Sequence, residues 1–170
     1  ARDIETINMY HEYLEKGYSK EEILLKINTK GRDNARRPMQ WTAEKNAGFT
    51  TGTPWIDVNP NYQTINVAAA LADKNSLFYT YQEMIRLRKE HPLIVWGNFE
   101  LLETVDEVIS FYRTYGEERW LVVTNFSDKV QPFSADVHVE QVMIENMPTD
   151  VTALADYSLA PWQAFVVKVS

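Results

Sequence analysis

Residues 76–126 read SLFYTYQEMIRLRKEHPLIVWGNFELLETVDEVISFYRTYGEERWLVVTNF, and the hydrophobic period changes inside them. Leu77, Phe78, Tyr81, Met84 and Ile85 recur at helical spacing, which predicts a helix over 76–90 with Ser76 as its N-cap. Pro92 lies just past its end, where a helix cannot continue. From about Ile94 the period becomes two and β-formers dominate. Strands are expected over 99–103, 107–115 and 119–126, the last two joined at Tyr115-Gly116-Glu117-Glu118 with Gly supplying the turn. Further strands are expected over 130–134, 140–146 and 163–169. Short strands at this spacing predict an antiparallel sandwich or barrel. The chain therefore reads as α+β, divided near residue 93 into a helical, loop-rich piece (1–92) and an antiparallel β-sandwich domain (93–170).

Upstream, Ile4, Ile7, Tyr10 and Leu14 predict an amphipathic helix over 3–15, ended by Gly17. Ser19-Lys20-Glu21-Glu22 matches a capping box, followed by a short helix carrying Ile23, Leu24 and Ile27 and stopped by Gly31. Residues 31–75 are punctuated by Pro38, Gly48, Gly52, Pro54 and Pro60 and read as mostly irregular, with one short helical turn and with Trp41 and Trp55 pinning the loop to a core. Irregular stretches of this length are uncommon in compact domains and are often functional. The apolar stripes before residue 93 lack a strand system to pack on, so this piece looks like a layer without its neighbour, and its exposed stripes favour self-association. No internal repeat and no low-complexity segment is present.

Composition excludes several classes. Among 170 residues there is no Cys, which rules out a disulfide framework and a Cys-based zinc site. The three His are scattered at 11, 91 and 138, so neither a metal nor a cofactor is expected. A net charge of −7 argues against a nucleic-acid partner. Residues 1–45 hold nine Lys/Arg and eight Asp/Glu, while 46–170 hold eight and sixteen, so the acidity lies in the second part. No apolar run reaches the length of a membrane span, no secretory signal is visible, and the reading is of a cytoplasmic chain without a membrane partner.

The densest polar segment is Gly31-Arg32-Asp33-Asn34-Ala35-Arg36-Arg37-Pro38-Met39-Gln40-Trp41. Arginine forks bind carboxylates in two-point fashion, and Asp and Asn fix sugar hydroxyls or the arginine itself. The same residues serve equally well as an Arg–Asp network that only holds the loop. The Trp and Tyr of residues 50–62 suit either stacking on a sugar ring or anchoring of the loop. No Gly-rich phosphate loop, no Gly-x-Ser-x-Gly elbow and no convincing catalytic set occurs, so no catalytic residue is assigned.

GRDNARRPMQW, followed by AGFTTGTPWIDVNPNYQTINV, resembles the C-terminal region of α-glucosidases of the α-amylase superfamily, nearest to oligo-1,6-glucosidases and glucan (dextran) 1,6-α-glucosidases. SLFYTYQEMIRLRKEHPLIVWGNFELL and ARDIETINMYHEYLEKG extend the resemblance to essentially the whole chain. It departs from the pattern at Arg37, where Thr is commoner, and at Thr42, where Asp is commoner. The resemblance implies a (β/α)8 barrel followed by an antiparallel β domain, with an Asp nucleophile, a Glu acid/base and a stabilising Asp on barrel strands upstream of the matched region. Residues 1–92 would be the end of the catalytic barrel and 93–170 the β domain, the barrel portion of the same protein being the partner of both. A typical barrel alone needs roughly 250 residues. The implied chemistry is retaining hydrolysis of α-1,6-glucosidic bonds in isomalto-oligosaccharides or dextran. The resemblance assigns Arg32 to the substrate region and makes Asp33, Asn34 and Arg36 supports of its loop. It leaves this chain inactive by itself. The alternative is a non-catalytic β-sandwich module that binds glucan or a protein partner.

Overall fold

The computed structural model describes residues 3–148 and 153–170, which combine helices with antiparallel sheet. Two compact units result, residues 1–80 and 81–170.

The first unit opens with α1 (Ile4–Glu15) and α2 (Lys20–Lys30). Gly17, at φ +84°, reverses the chain between them. The capping box forms as expected: Glu22 N–H donates to Ser19 Oγ at 3.2 Å, and Ser19 N–H donates to Glu22 Oε2 at 2.9 Å. Such a cap contributes about 1 kcal/mol. The stripe of α1 behaves differently from its pattern. Ile4 and Ile7 are exposed, and Thr6 is the buried residue of the helix.

Residues 31–75 are more ordered than their composition suggests. They contain 3-10 turns at Arg32–Arg36, Lys45–Gly48 and Pro60–Gln63 and the helix α3 (Val67–Ala72). Side-chain caps explain this: Asn59 accepts from Asn61 N–H, and Asn66 accepts from Ala69 N–H. Pro60 adds a preset φ at the start of its turn. Trp41 and Trp55 do not anchor the loop to a core; both indoles are about half exposed. Backbone pairing shapes it instead. Trp41 N–H donates to Ala47 C=O at 2.8 Å, and Ala68 N–H donates to Trp41 C=O at 3.0 Å. Asn46, Ala47 and Gly48 are all left-handed, and a Cβ on Gly48 would sit 2.6 Å from Thr42 Oγ1. A larger residue at Gly48 would be strained by the backbone sign and would have to displace the Thr42 side chain.

α4 (Leu77–Glu90) follows the predicted bounds closely. Its stripe residues Leu77, Phe78, Tyr81, Met84 and Ile85 are exposed, and Leu87 is the buried position. Pro92 does more than end it. It pushes His91 into an extended conformation and then occupies the first turn of a second helix, α5 (Pro92–Trp96). The period-two pattern accordingly begins at Asn98 and not at Ile94.

The second unit is built on a five-stranded antiparallel sheet: β1 (Asn98–Leu101), β2 (Val108–Tyr115), β3 (Glu118–Asn125), β5 (Val139–Glu145) and β7 (Ala164–Val169), in the order β1-β2-β3-β7-β5. β4 (Gln131–Phe133) pairs with β6 (Tyr157–Leu159) in a second sheet. β6 has no counterpart in the sequence reading, because three residues carry too little period to see. The β2–β3 hairpin turns at Gly116 (φ +61°) and Glu117, with Tyr115 opposite Glu118. Alternation along β3 sends Leu121 and Val123 to a core shared with Phe133, Leu159, Phe165 and Val167. Trp120 points to the other face and packs with Leu87 and Leu93. An apolar groove of about 440 Å³, lined by Leu93, Phe99, Phe111, Trp120 and Val166 among others, stays open on that face. None of the described helices is long and apolar enough to cross a membrane.

Candidate functional site

The 3-10 turn Arg32–Arg36 starts directly at the end of α2 and faces the first residues of α1. Gly31 N–H donates to Ile27 C=O at 2.7 Å, and a Cβ at Gly31 would meet that same oxygen, so the chain leaves α2 tightly. Arg32 then turns back onto Asp3. Its Nη2 donates to Asp3 Oδ1 at 2.8 Å and its Nε donates to Asp3 Oδ2 at 3.4 Å. The same Nη2 lies 2.9 Å from Glu5 Oε2. Arg36 Nη1 reaches Asp3 Oδ1 at 3.5 Å, and Thr6 Oγ1 donates to Asp3 Oδ2 at 3.0 Å. Asp3 N–H closes the circuit by donating to Asp33 Oδ2 at 3.1 Å.

Two of the four expected residues, Arg32 and Arg36, thus converge on the Asp3 carboxylate, and a third, Asp33, holds the same residue by accepting from its backbone N–H. Asn34 does not join them. Its Nδ2 donates to Asn28 C=O at 2.8 Å, bracing the turn against α2. The sequence reading missed Asp3, which sits at the N-cap position of α1 yet makes no capping bond with its side chain. An Asp at a helix start with Thr three residues on is the visible signal; its arginine partner is 29 residues away, a spacing no local pattern reveals.

Asp3 is buried, while Arg32 and Arg36 are each close to half exposed. The Arg32 hydrogen bonds hold the Asp3 carboxyl below its ordinary range against the opposing effect of burial, with Thr6 helping. Arg32 is pushed up in turn by its hydrogen bonds to Asp3. Asp3 and Glu5 share one arginine nitrogen, Nη2. Arg32 Nη1 has no hydrogen-bond partner among the described residues, so its donors remain for a further acceptor. A cavity of about 440 Å³ adjoins the network, lined by Asp3, Glu5, Thr6, Met9, Tyr13 and Arg32 among others. Arginine and carboxylates beside a Tyr ring suit a polyhydroxylated ligand. Among the described residues no group of three His, Cys, Asp or Glu side chains is placed to hold a metal ion.

Downstream, Arg37 Nη1 donates to Asp57 C=O at 3.2 Å, and Gln40 Nε2 donates to Asn61 Oδ1 at 3.1 Å and to Ile65 C=O. Residues 37–41 are thereby tied to 57–65, which holds the Arg32 turn on a braced loop.

The network also sets a pH dependence. Because the folded Asp3 pKa is lowered, its contribution is fully present above the unfolded value and is lost as pH falls through the folded one. Amide exchange at Ile7, whose N–H donates to Asp3 C=O, is therefore expected to be slower in the wild type than in Asp3→Asn at neutral pH. The gap should close below the ordinary aspartate range of about 3.9. A gap that persists unchanged at lower pH would show that charge is not what holds the turn.

The alpha-amylase catalytic-domain family matches residues 4–97, more than half of the sequence. The chain belongs to the alpha-amylase family. It is 49% identical over 169 residues to the glucan 1,6-alpha-glucosidase of Streptococcus pneumoniae and 49% identical over 175 residues to the oligo-1,6-glucosidase of Parageobacillus thermoglucosidasius. Each comparison covers 99% of this chain and 31% of the relative. The solved structure of trehalose-6-phosphate hydrolase from Bacillus licheniformis matches with a TM-score of 0.87 at 36% identity, over 100% of this chain and 32% of that one. The chain thus spans under a third of the length of these curated relatives.

Proposed function

We propose that this chain is the C-terminal portion of a retaining α-1,6-glucosidase acting on isomalto-oligosaccharides or dextran. The observation that carries the reading is 49% identity to a glucan 1,6-alpha-glucosidase and an oligo-1,6-glucosidase across nearly the whole chain. Residues 1–92 are then the end of the catalytic barrel and 93–170 the β domain. In support, the family match stops at Gly97, one residue before β1 begins. The exposed stripes of α1 and α4 also suit surfaces that the rest of a barrel covers.

In this reading Arg32 presents Nη1 to the substrate region while Asp3 and Glu5 hold its other edge. Asp33, Asn34 and Arg36 keep the turn in place. The nucleophile, the acid/base and the stabilising carboxylate lie upstream, about 5 Å separating the reacting pair in a retaining enzyme. Orientation by Arg32 contributes to rate but cannot replace them.

Incubation with isomaltose tests the proposal. The intact protein should release glucose with retained anomeric configuration, and the 170-residue chain alone should release none. Turnover by the isolated chain at an ordinary enzymatic rate would overturn it. The exposed indoles of Trp55, Trp96 and Trp162 keep a glucan-binding module as the second reading. A shift of tryptophan fluorescence in the isolated chain on adding isomalto-oligosaccharides would favour that reading instead.

A further inference from the structure

We infer that Asp3 is a positioning residue for the glucosidase: it sets the plane of the Arg32 guanidinium and so aims Nη1 at the substrate. The inference rests on the 1,6-glucosidase reading above and adds to it a residue that the sequence motif does not contain.

The geometry has three parts. First, the carboxylate takes Arg32 at two points, Nη2 on Oδ1 at 2.8 Å and Nε on Oδ2 at 3.4 Å. Two-point pairing fixes the plane of a guanidinium, whereas a single contact leaves it free to rotate. Second, the carboxylate is itself held. Thr6 Oγ1 donates to Oδ2, Arg36 approaches Oδ1, and the Asp3 backbone is tied at both ends, by N–H to Asp33 Oδ2 and by C=O to Ile7 N–H. It stands at the start of a helix, a rigid element, and its side chain is only 5% exposed. Third, the competing carboxylate is a poor guide. Glu5 touches only Nη2, and its side chain is 71% exposed, where solvent screens the pair. An arginine side chain left free loses rotamer entropy when it is ordered, and prior immobilisation removes that cost from substrate binding and from the reaction.

Asp3→Asn keeps the size and one acceptor oxygen while removing the charge and half of the fork. In the intact enzyme it should lower kcat/KM for isomaltose by about 10- to 100-fold. The same substitution made on an Arg32→Ala background should change kcat/KM little, because the group it positions is gone. A purely structural Asp3 would instead impose the same loss in both backgrounds, and that result would overturn the inference. If Asp3→Asn fails to fold, Thr6→Val, which removes one steering hydrogen bond, should give a smaller loss that also vanishes without Arg32. A second arm does not depend on turnover. In the intact protein, the Arg32 Nε–H proton should exchange slowly in the wild type and rapidly in Asp3→Asn. Unchanged Nε–H exchange defeats the Asp3 inference, whereas absence of isomaltose hydrolysis by the intact wild-type protein defeats only the glucosidase reading.

Discussion

Phe165→Ala is expected to destabilise the β unit by about 3–5 kcal/mol. Phe165 lies in β7, which is hydrogen-bonded on both sides, opposite Val123 of β3 and Glu145 of β5. It is 2% exposed, the bulkiest of the fully enclosed side chains, and it meets the Tyr157 ring edge-on at 5.8 Å. Tyr157 belongs to β6, so the ring pair joins the five-stranded sheet to the two-stranded one. Truncation leaves a cavity at that junction that a strand fixed on both edges cannot close. Domains are stable by only about 5–15 kcal/mol, so the loss is a large share of the total. Chemical denaturation followed by circular dichroism of the β signal should show the midpoint fall sharply. Phe99→Ala, on the exposed edge strand β1, should move it by less than about 1 kcal/mol. Equal shifts for the two would mean that the ring pair does not join the sheets.

The contrast between those two phenylalanines also shows what the sequence could disclose. Phe165 and Phe99 both sit in period-two runs, and the pattern predicts a strand at each. Periodicity announces a strand and its two faces; it does not say which strand is central, since that follows from the non-local order β1-β2-β3-β7-β5. The capping box at Ser19 and the turn at Gly116 were legible because each is complete within four residues. The exposure of Trp41 and Trp55 was not, because those indoles were expected to anchor a loop that Asn side chains and backbone pairing hold instead. The arginine-rich segment at 31–41 behaves in the same way. Its arginines stand out by composition and by motif, and the Asn34 bond to the Asn28 carbonyl is short in sequence. Asp3, whose carboxylate takes Arg32 and Arg36 and whose backbone N–H donates to Asp33, stands at the start of a different helix, and only the fold brings it there.

The larger expected effect on activity falls on Arg32 itself. If the proposed 1,6-glucosidase reading holds, Arg32→Ala in the intact protein should reduce kcat/KM for isomaltose by at least about 100-fold, since even small displacements of an orienting group cost that much. Arg32→Lys should recover little of it. An ammonium keeps the charge but cannot hold Asp3 at two points while offering a third nitrogen outward, as the Nε, Nη2 and Nη1 arrangement does. The alanine variant also leaves the buried Asp3 carboxylate with Thr6 and the more distant Arg36 alone, so its carboxyl pKa should rise toward or above the ordinary range. Stability conferred by the pair at neutral pH would be lost with it, and activity must therefore be compared at a temperature where both forms are folded by circular dichroism. Arg37→Ala is the matched control. That arginine lies five residues on, donates a hydrogen bond to the Asp57 carbonyl and touches no carboxylate in the network, so its loss should alter kcat/KM only a few-fold. Near-wild-type hydrolysis by a folded Arg32→Ala enzyme would reduce the whole Arg–Asp circuit to a clasp between α1 and the turn after α2. A loss confined to Arg32, absent at Arg37 and unrescued by lysine, would place a fork-shaped donor at the substrate, held by its own carboxylate.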